Sequence, residues 1–163
     1  MPFKLSSCKS GKPFDLVHSD VWGPAPINSY NGYKYFVIFI DDFSKITWLY
    51  LLKDKSEVFS QFLDFYKFIE NQFEAKLKIF RSDNGTEFVN QNFSKFFKEK
   101  GISHQTTCVY TPQQNGVSER KNRHLLEMTR VLLFQNNVPK TYWSDAVLTA
   151  TYLINRLPSV NLD

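Results

Sequence analysis

Asp20, Asp83 and Glu119 are the residues whose types and spacing could do chemistry, the last two with 35 residues between them. Asp20 sits in DLVHSDVWG, which reads as a strand. Asp83 closes the run KLKIFRSD, ahead of the turn pair Asn84-Gly85. Glu119 lies in GVSERKNRHLLEMTR, past a loop and inside a strongly helical stretch. Brought together by a fold, the three form an all-oxygen site suited to a hard cation such as magnesium. Two such ions, roughly 3.5–4 Å apart, clamp the attacking and leaving oxygens of an in-line phosphoryl displacement. That chemistry is phosphodiester cleavage or transfer. Without metal, packed carboxylates repel and raise one another's pKa, and bound cations reverse that. The metal-free site is therefore expected to be mobile and ordered by metal. The competing reading is that the chain holds 16 Asp and Glu, so a suggestive triple is easy to find.

The elements that must position these acids are legible in outline. Phe14 to Trp22 reads as a strand, broken by Gly23-Pro24-Ala25-Pro26 and a turn cluster from Asn28 to Gly32. Tyr33 to Ile40 is aromatic and β-branched, which predicts a central strand. Asp41 to Lys45 is a hairpin loop, and Ile46 to Leu52 the returning strand. Asp54 and Glu57 form a capping-box pair at a helix start. Val58, Phe62, Phe65, Ile69 and Phe73 then make one apolar stripe. Lys76 to Arg81 is a short strand, Asn90 to Lys100 a helix stopped by Gly101, and Ile102 to Thr107 a fifth strand. Long helices are predicted from Val117 to Gln135 and from Lys140 to Arg156. A meander followed by strand–helix alternation predicts an α/β fold, a five-stranded mixed sheet with helices on both faces.

The chain has 163 residues, which fits one domain with a real core. Residues 1–13 read as a linker or fragment end, 14–158 as the core domain and 159–163 as a tail. Aromatics reach 17%, with 16 Phe, and most should be core. Cys8 and Cys108 are far apart, which argues against a disulfide framework and a cysteine zinc site and points to an intracellular protein. No apolar run is long enough to span a bilayer, and no signal peptide is visible. Net charge is +4, by itself a weak pointer to nucleic acid. Lys95, Lys98 and Lys100 cluster, as do Arg120, Lys121 and Arg123, the latter directly after Glu119. Such runs are usually solvated helix faces.

The residues around the acids carry a resemblance. HSDVWGP at Asp20, RSDNGTEF at Asp83 and YTPQQNGVSERKNRHLLE at Glu119 resemble the integrase catalytic core of Ty1/copia-type retrotransposons with long terminal repeats. FVIFIDDFSK, GKPFDLVHSD and VPKTYWSDAVLTATYLINRLPS are similar too, so the resemblance covers about residues 12–160. It implies a ribonuclease-H-like fold of the retroviral integrase superfamily and two-metal DNA strand transfer. Asp20 would bridge two Mg²⁺ ions (Mn²⁺ substituting), with Asp83 completing one site and Glu119 the other. Implied partners are the element's DNA ends, target DNA and further copies of the chain, with no membrane. The implied localisation is the nucleus, with a cytoplasmic virus-like-particle stage. The family's N-terminal His-His-Cys-Cys zinc module and C-terminal DNA-binding extension have no counterpart here, so they are expected in other segments of a polyprotein.

DNA-contact candidates follow from the same resemblance. Thr86 offers a hydroxyl to target DNA, or else an N-cap. Asn115 and Gly116 end a loop that positions DNA in similar integrases, or else form a plain helix-opening turn. Arg123 lies one turn past Glu119 on the same face. Retroviral relatives often place a lysine seven residues past the glutamate, where this chain has Leu126, so phosphate grip falls to Arg123, Arg120 and Lys121. His18 shares a strand face with Asp20 but reads better as a packed or hydrogen-bonded histidine. Asp41 and Asp42 read as turn residues, and Trp22, Trp48 and Trp143 as core. Two other functions stay open: a general ribonuclease-H-like nuclease cutting RNA–DNA hybrids, and a catalytically silent remnant or host-recruited nucleic-acid-binding domain.

Overall fold

A computed structural model describes residues 10–107 and 115–158. Five strands form one sheet: β1 (Leu16–Trp22), β2 (Tyr35–Asp41), β3 (Thr47–Leu52), β4 (Ile79–Ser82) and β5 (Ser103–Thr106). Their order is β3-β2-β1-β4-β5. The first three strands pair antiparallel as a meander, while β4 and β5 add in parallel. Four helices follow or intervene: α1 (Val58–Phe73), α2 (Gln91–Lys100), α3 (Gly116–Gln135) and α4 (Trp143–Ile154). The predicted element order and mixed sheet are therefore observed.

The β2 sequence YFVIFID is apolar on both faces because helices cover both. Val37 and Phe39 face α1 and α2, in a core with Phe62, Phe65, Phe80 and Phe93. Phe36, Ile38 and Ile40 face α3 and α4, in a core with Leu125, Trp143 and Val147. Phe39 stacks on Phe65 at 4.7 Å between ring centroids. Asn155 fastens the end of α4 to β3 by bonding both the Thr47 N–H and the Thr47 carbonyl.

Local signals account for most element ends. Asp54 and Glu57 form the expected capping box, although it opens a 3-10 turn at Lys55–Glu57 that runs on into α1. Asn90 caps α2 by accepting from the Phe93 N–H, and Gly101 stops it at φ 70°. Gly23 ends β1 at φ 126°, where any Cβ would fall 2.6 Å from the Tyr35 ring and 2.7 Å from the Lys34 carbonyl. Pro139 precedes a 3-10 turn, Lys140–Tyr142, and α4 proper starts only at Trp143. One expectation needs correction. Phe73 is 52% exposed, while Tyr66 joins the core instead. Phe73 is the last residue of α1, where the chain turns away through a left-handed Glu74.

Candidate functional site

Asp20 and Asp83 converge because β1 and β4 are adjacent and parallel. His18 sits opposite Arg81 in that ladder. Carrying the register two residues further sets Asp83 beside Asp20, just past the end of β4. Strand alternation turns both toward the α3 side, where Trp22 of β1 also packs. Asp83 is held by its own turn: its Oδ1 accepts from the Gly85 N–H at 2.9 Å. Asn84 donates its side-chain amide to the Thr107 carbonyl, tying that turn to the end of β5. Behind it, Ser82 Oγ bonds the Asp83 carbonyl and His104 Nε2, each at 2.9 Å.

Glu119 arrives from the first turn of α3, where the helix dipole favours a carboxylate. It lines one cleft of about 330 Å³ together with Asp20, Asn122 and Arg123. Asn122, one turn beyond Glu119, donates its amide to Asp20 Oδ2 at 2.8 Å. Asp20 Oδ1 accepts from the Val21 N–H at 2.9 Å. Asn122 was not foreseen from the sequence. Its i+3 spacing from Glu119 was the available signal, since that spacing shares a helix face.

The electrostatics of Asp20 record the convergence. Burial chiefly, and then the Asp83 charge with a smaller push from Glu119, lifts its pKa to about 6. The bonds from Val21 and Asn122 pull the other way without cancelling this. Among the described residues no three Asp, Glu, His or Cys side chains are close enough to hold an ion together. The carboxylates thus sense one another across a gap. Their oxygen-only chemistry and mutual repulsion fit a hard divalent cation, which would draw exposed Glu119 inward.

The remaining candidates occupy different places. Arg123 lines the acid cleft, as its spacing from Glu119 predicted. Arg120 is exposed, with its guanidinium beside Gly116. Lys121 turns away and reaches the Lys45 carbonyl at 3.4 Å. Its partial burial, then the nearby Lys45 charge, lowers its pKa. Asn115 is buried and accepts from Ser118 Oγ, and Gly116 opens α3. Thr86 is exposed in a turn and caps no helix, because Asn90 holds that position for α2; the N-cap alternative is corrected. His18 is buried and bonds Asp42 Oδ1 at 2.9 Å, as a hydrogen-bonded histidine should. Asp41 accepts from the Phe14, Phe43 and Ser44 N–H groups, a turn role as expected. Trp143 is buried, while Trp22 and Trp48 are partly buried against the two cores. Both cysteines and most of the loop before Asn115 lie outside the described residues.

The model of the integrase core domain family matches residues 11–112, well over half of the chain. The chain belongs to the integrase core domain family. The matched stretch contains Asp20 and Asp83 and ends before Glu119. Relatives extend the likeness across α3 and α4. The retrovirus-related Pol polyprotein from transposon RE1 of Arabidopsis thaliana is 46% identical over 98% of this chain. That from transposon TNT 1-94 of Nicotiana tabacum is 48% identical, also over 98%. The chain spans only 11–12% of these polyproteins' length. Among solved structures, the HTLV-2 integrase catalytic core in complex with magnesium is similar at a TM-score of 0.64 and 24% identity. That likeness covers 90% of this chain and 89% of the HTLV-2 chain. The simian T-cell lymphotropic virus intasome is similar at a TM-score of 0.70 and 23% identity, over 91% of this chain and 50% of that one. These likenesses establish the ribonuclease-H-like fold of integrase cores.

Proposed function

We propose that this chain is the catalytic core of a retrotransposon integrase, a polynucleotidyl transferase that works on DNA with Mg²⁺ or Mn²⁺. The observation that carries this reading is the pairing of Asp20 and Asp83 at adjacent strand ends, with Glu119 on the cleft that Asp20 lines. Asp20, Asp83 and Glu119 would hold the cations. Bound there, the cations would supply Lewis-acid polarisation of the scissile phosphate and a more acidic attacking water or hydroxyl.

The chain's own residues do the rest. Asn122 fixes the rotamer of Asp20 through its amide. Arg123 meets phosphate oxygens beside the acids, with Arg120 extending the basic face, while Lys121, turned to the Lys45 carbonyl, adds its charge from further away. Thr86 faces target DNA from the turn beyond Asp83. Asn115 and Gly116 close the loop that positions the element's DNA end. The element's 3′ ends are first trimmed by water. The freed 3′-OH then attacks the phosphorus of a phosphodiester in target DNA, and the target strand's 3′-oxygen leaves as a new 3′-OH, with no covalent enzyme intermediate. We place this activity in the nucleus, after a stage in cytoplasmic virus-like particles, in a homo-oligomer completed by other parts of the polyprotein.

The test is disintegration, the reversal of strand transfer, on a branched DNA oligonucleotide with Mn²⁺ or Mg²⁺. The native chain should release the joined strand, and Glu119→Gln should abolish release. Equal activity in both proteins would remove Glu119 from the chemistry. Cleavage of an RNA–DNA hybrid without strand joining would favour the nuclease reading.

A further inference from the structure

We propose that a second cleft, opening off the acid site, receives one unpaired nucleotide of the DNA strand, with its base among apolar side chains and its phosphate on Arg130 or Lys140. This rests on the DNA reading above and deepens it. The second cleft has a volume of about 630 Å³, within the range of roughly 300–1,000 Å³ that small ligands occupy. It shares Trp22, Leu126 and Arg130 with the cleft that holds Asp20 and Glu119. A strand whose phosphate lies at the acids can therefore pass into it without a break.

The walls are built to stay in place. Trp22 and Trp143 meet edge to face at 5.6 Å. The Trp143 indole N–H is fixed on the Ile27 carbonyl at 2.9 Å. The lips are different: Ile27 is 44% exposed and Phe134 is 71% exposed. Phe134 belongs to neither core cluster, so burial in this chain does not explain it. An aromatic ring at the mouth of an apolar cleft is a stacking platform for a base. Asn137 lines the same cleft and carries the donor and acceptor pair that a base edge matches.

Charge decides between occupants. Two cations, Arg130 and Lys140, line the cleft and no acid does, among the described residues. Neither cation forms an ion pair with a described carboxylate. An apolar peptide would leave both cations unanswered, whereas a nucleotide supplies base and phosphate together. A stacked duplex does not fit such a cleft, and unstacking costs least where the strand is already unpaired. The ligand is therefore a single-stranded nucleotide next to the reacting phosphate.

The test compares two duplexes by fluorescence anisotropy at fixed salt. One carries a short single-stranded overhang with bases, and the other an overhang of abasic residues that keeps the phosphates. The native chain should bind the first about tenfold more tightly, the scale of one base–aromatic stack. Phe134→Ala should erase that preference while leaving the thermal midpoint unchanged, since the ring is largely exposed. Lys140→Gln should weaken both duplexes alike. Equal binding of the two duplexes by the native chain, or a preference that survives Phe134→Ala, overturns the assignment. So does a native dimer that Phe134→Ala dissolves without touching the preference. Binding to neither duplex would instead sink the DNA reading on which the assignment rests.

Discussion

Asp20 gives up solvent and gains two like-charged neighbours, and its pKa of about 6 follows from that. The sign for stability is then fixed. Its folded pKa lies above the ordinary 3.8, so the metal-free native state binds the extra proton between about pH 4 and 6. Stability from this group is full below about pH 4 and is lost as pH rises through 6. Asp42 does the opposite: its bond to His18, then to Lys45, lowers its pKa, so its contribution is lost only as pH falls below 3.8. Urea unfolding in EDTA at pH 7 and pH 5 should show Asp20 contributing a gain on the order of 1–2 kcal/mol at pH 5, read against Asp20→Asn because burial lowers the His104 pKa and acts in the opposite direction over that range. Asp20→Asn should flatten that gain and abolish disintegration. The new amide can donate to Asn122 Oδ1, which is buried without a partner, once Asn122 turns over. Asn122→Ala removes a bond that lowers the Asp20 pKa. Carboxyl titration by NMR should show the Asp20 midpoint moving upward, and an unmoved midpoint would deny Asn122 its positioning role. At this scale the acids were legible because their flanking motifs are distinctive. Asn122 was not, because an Asn on a helix says nothing until its acceptor is known. The N-cap alternative for Thr86 failed because one residue type serves both caps and turns.

Among elements, the aromatic stripe of α1 carries the sheet's far face. Phe62 is fully buried and packs on Phe80 and Phe93 at 5.1 and 5.2 Å. Phe62→Ala should cost about 3–5 kcal/mol in urea unfolding. Asp54→Ala, which removes a cap at an exposed position, should cost much less. Comparable losses would mean that the stripe is not the load that holds α1. The periodicity that revealed this helix could not reveal that Phe73 faces solvent, because the end of a stripe depends on where the chain leaves the core. Tyr66 lies four residues after Phe62 and three before Ile69, on the same face, with its ring beside Phe62 and Phe96; its hydroxyl made it read less plainly as core. Strand existence was legible from composition, but β4 and β5 are only four residues each, shorter than the segments that announced them. The run before β4 includes Leu77, which is buried without being strand.

For the molecule as a whole, the mixed sheet explains how acids distant in sequence come to share a cleft. No sequence pattern fixes that β4 lies beside β1, and the parallel register between them is what aligns Asp83 with Asp20. On the proposed reading as a DNA-acting core, the chain's basic balance predicts a salt dependence of binding. Arg123→Gln should reduce the slope of log affinity against log salt by about one. An unchanged slope would place that side chain away from phosphate. The central claim is that a strand, a strand end and a helix build one cation site. Calorimetric titration of Mg²⁺ into the native chain at pH 6, beside Asp20→Asn and Glu119→Gln, tests it most directly. The account predicts binding to the native chain with release of about half a proton from Asp20, and binding lost or much weakened in both variants. Mg²⁺ bound equally by all three proteins, with no proton released, would contradict it.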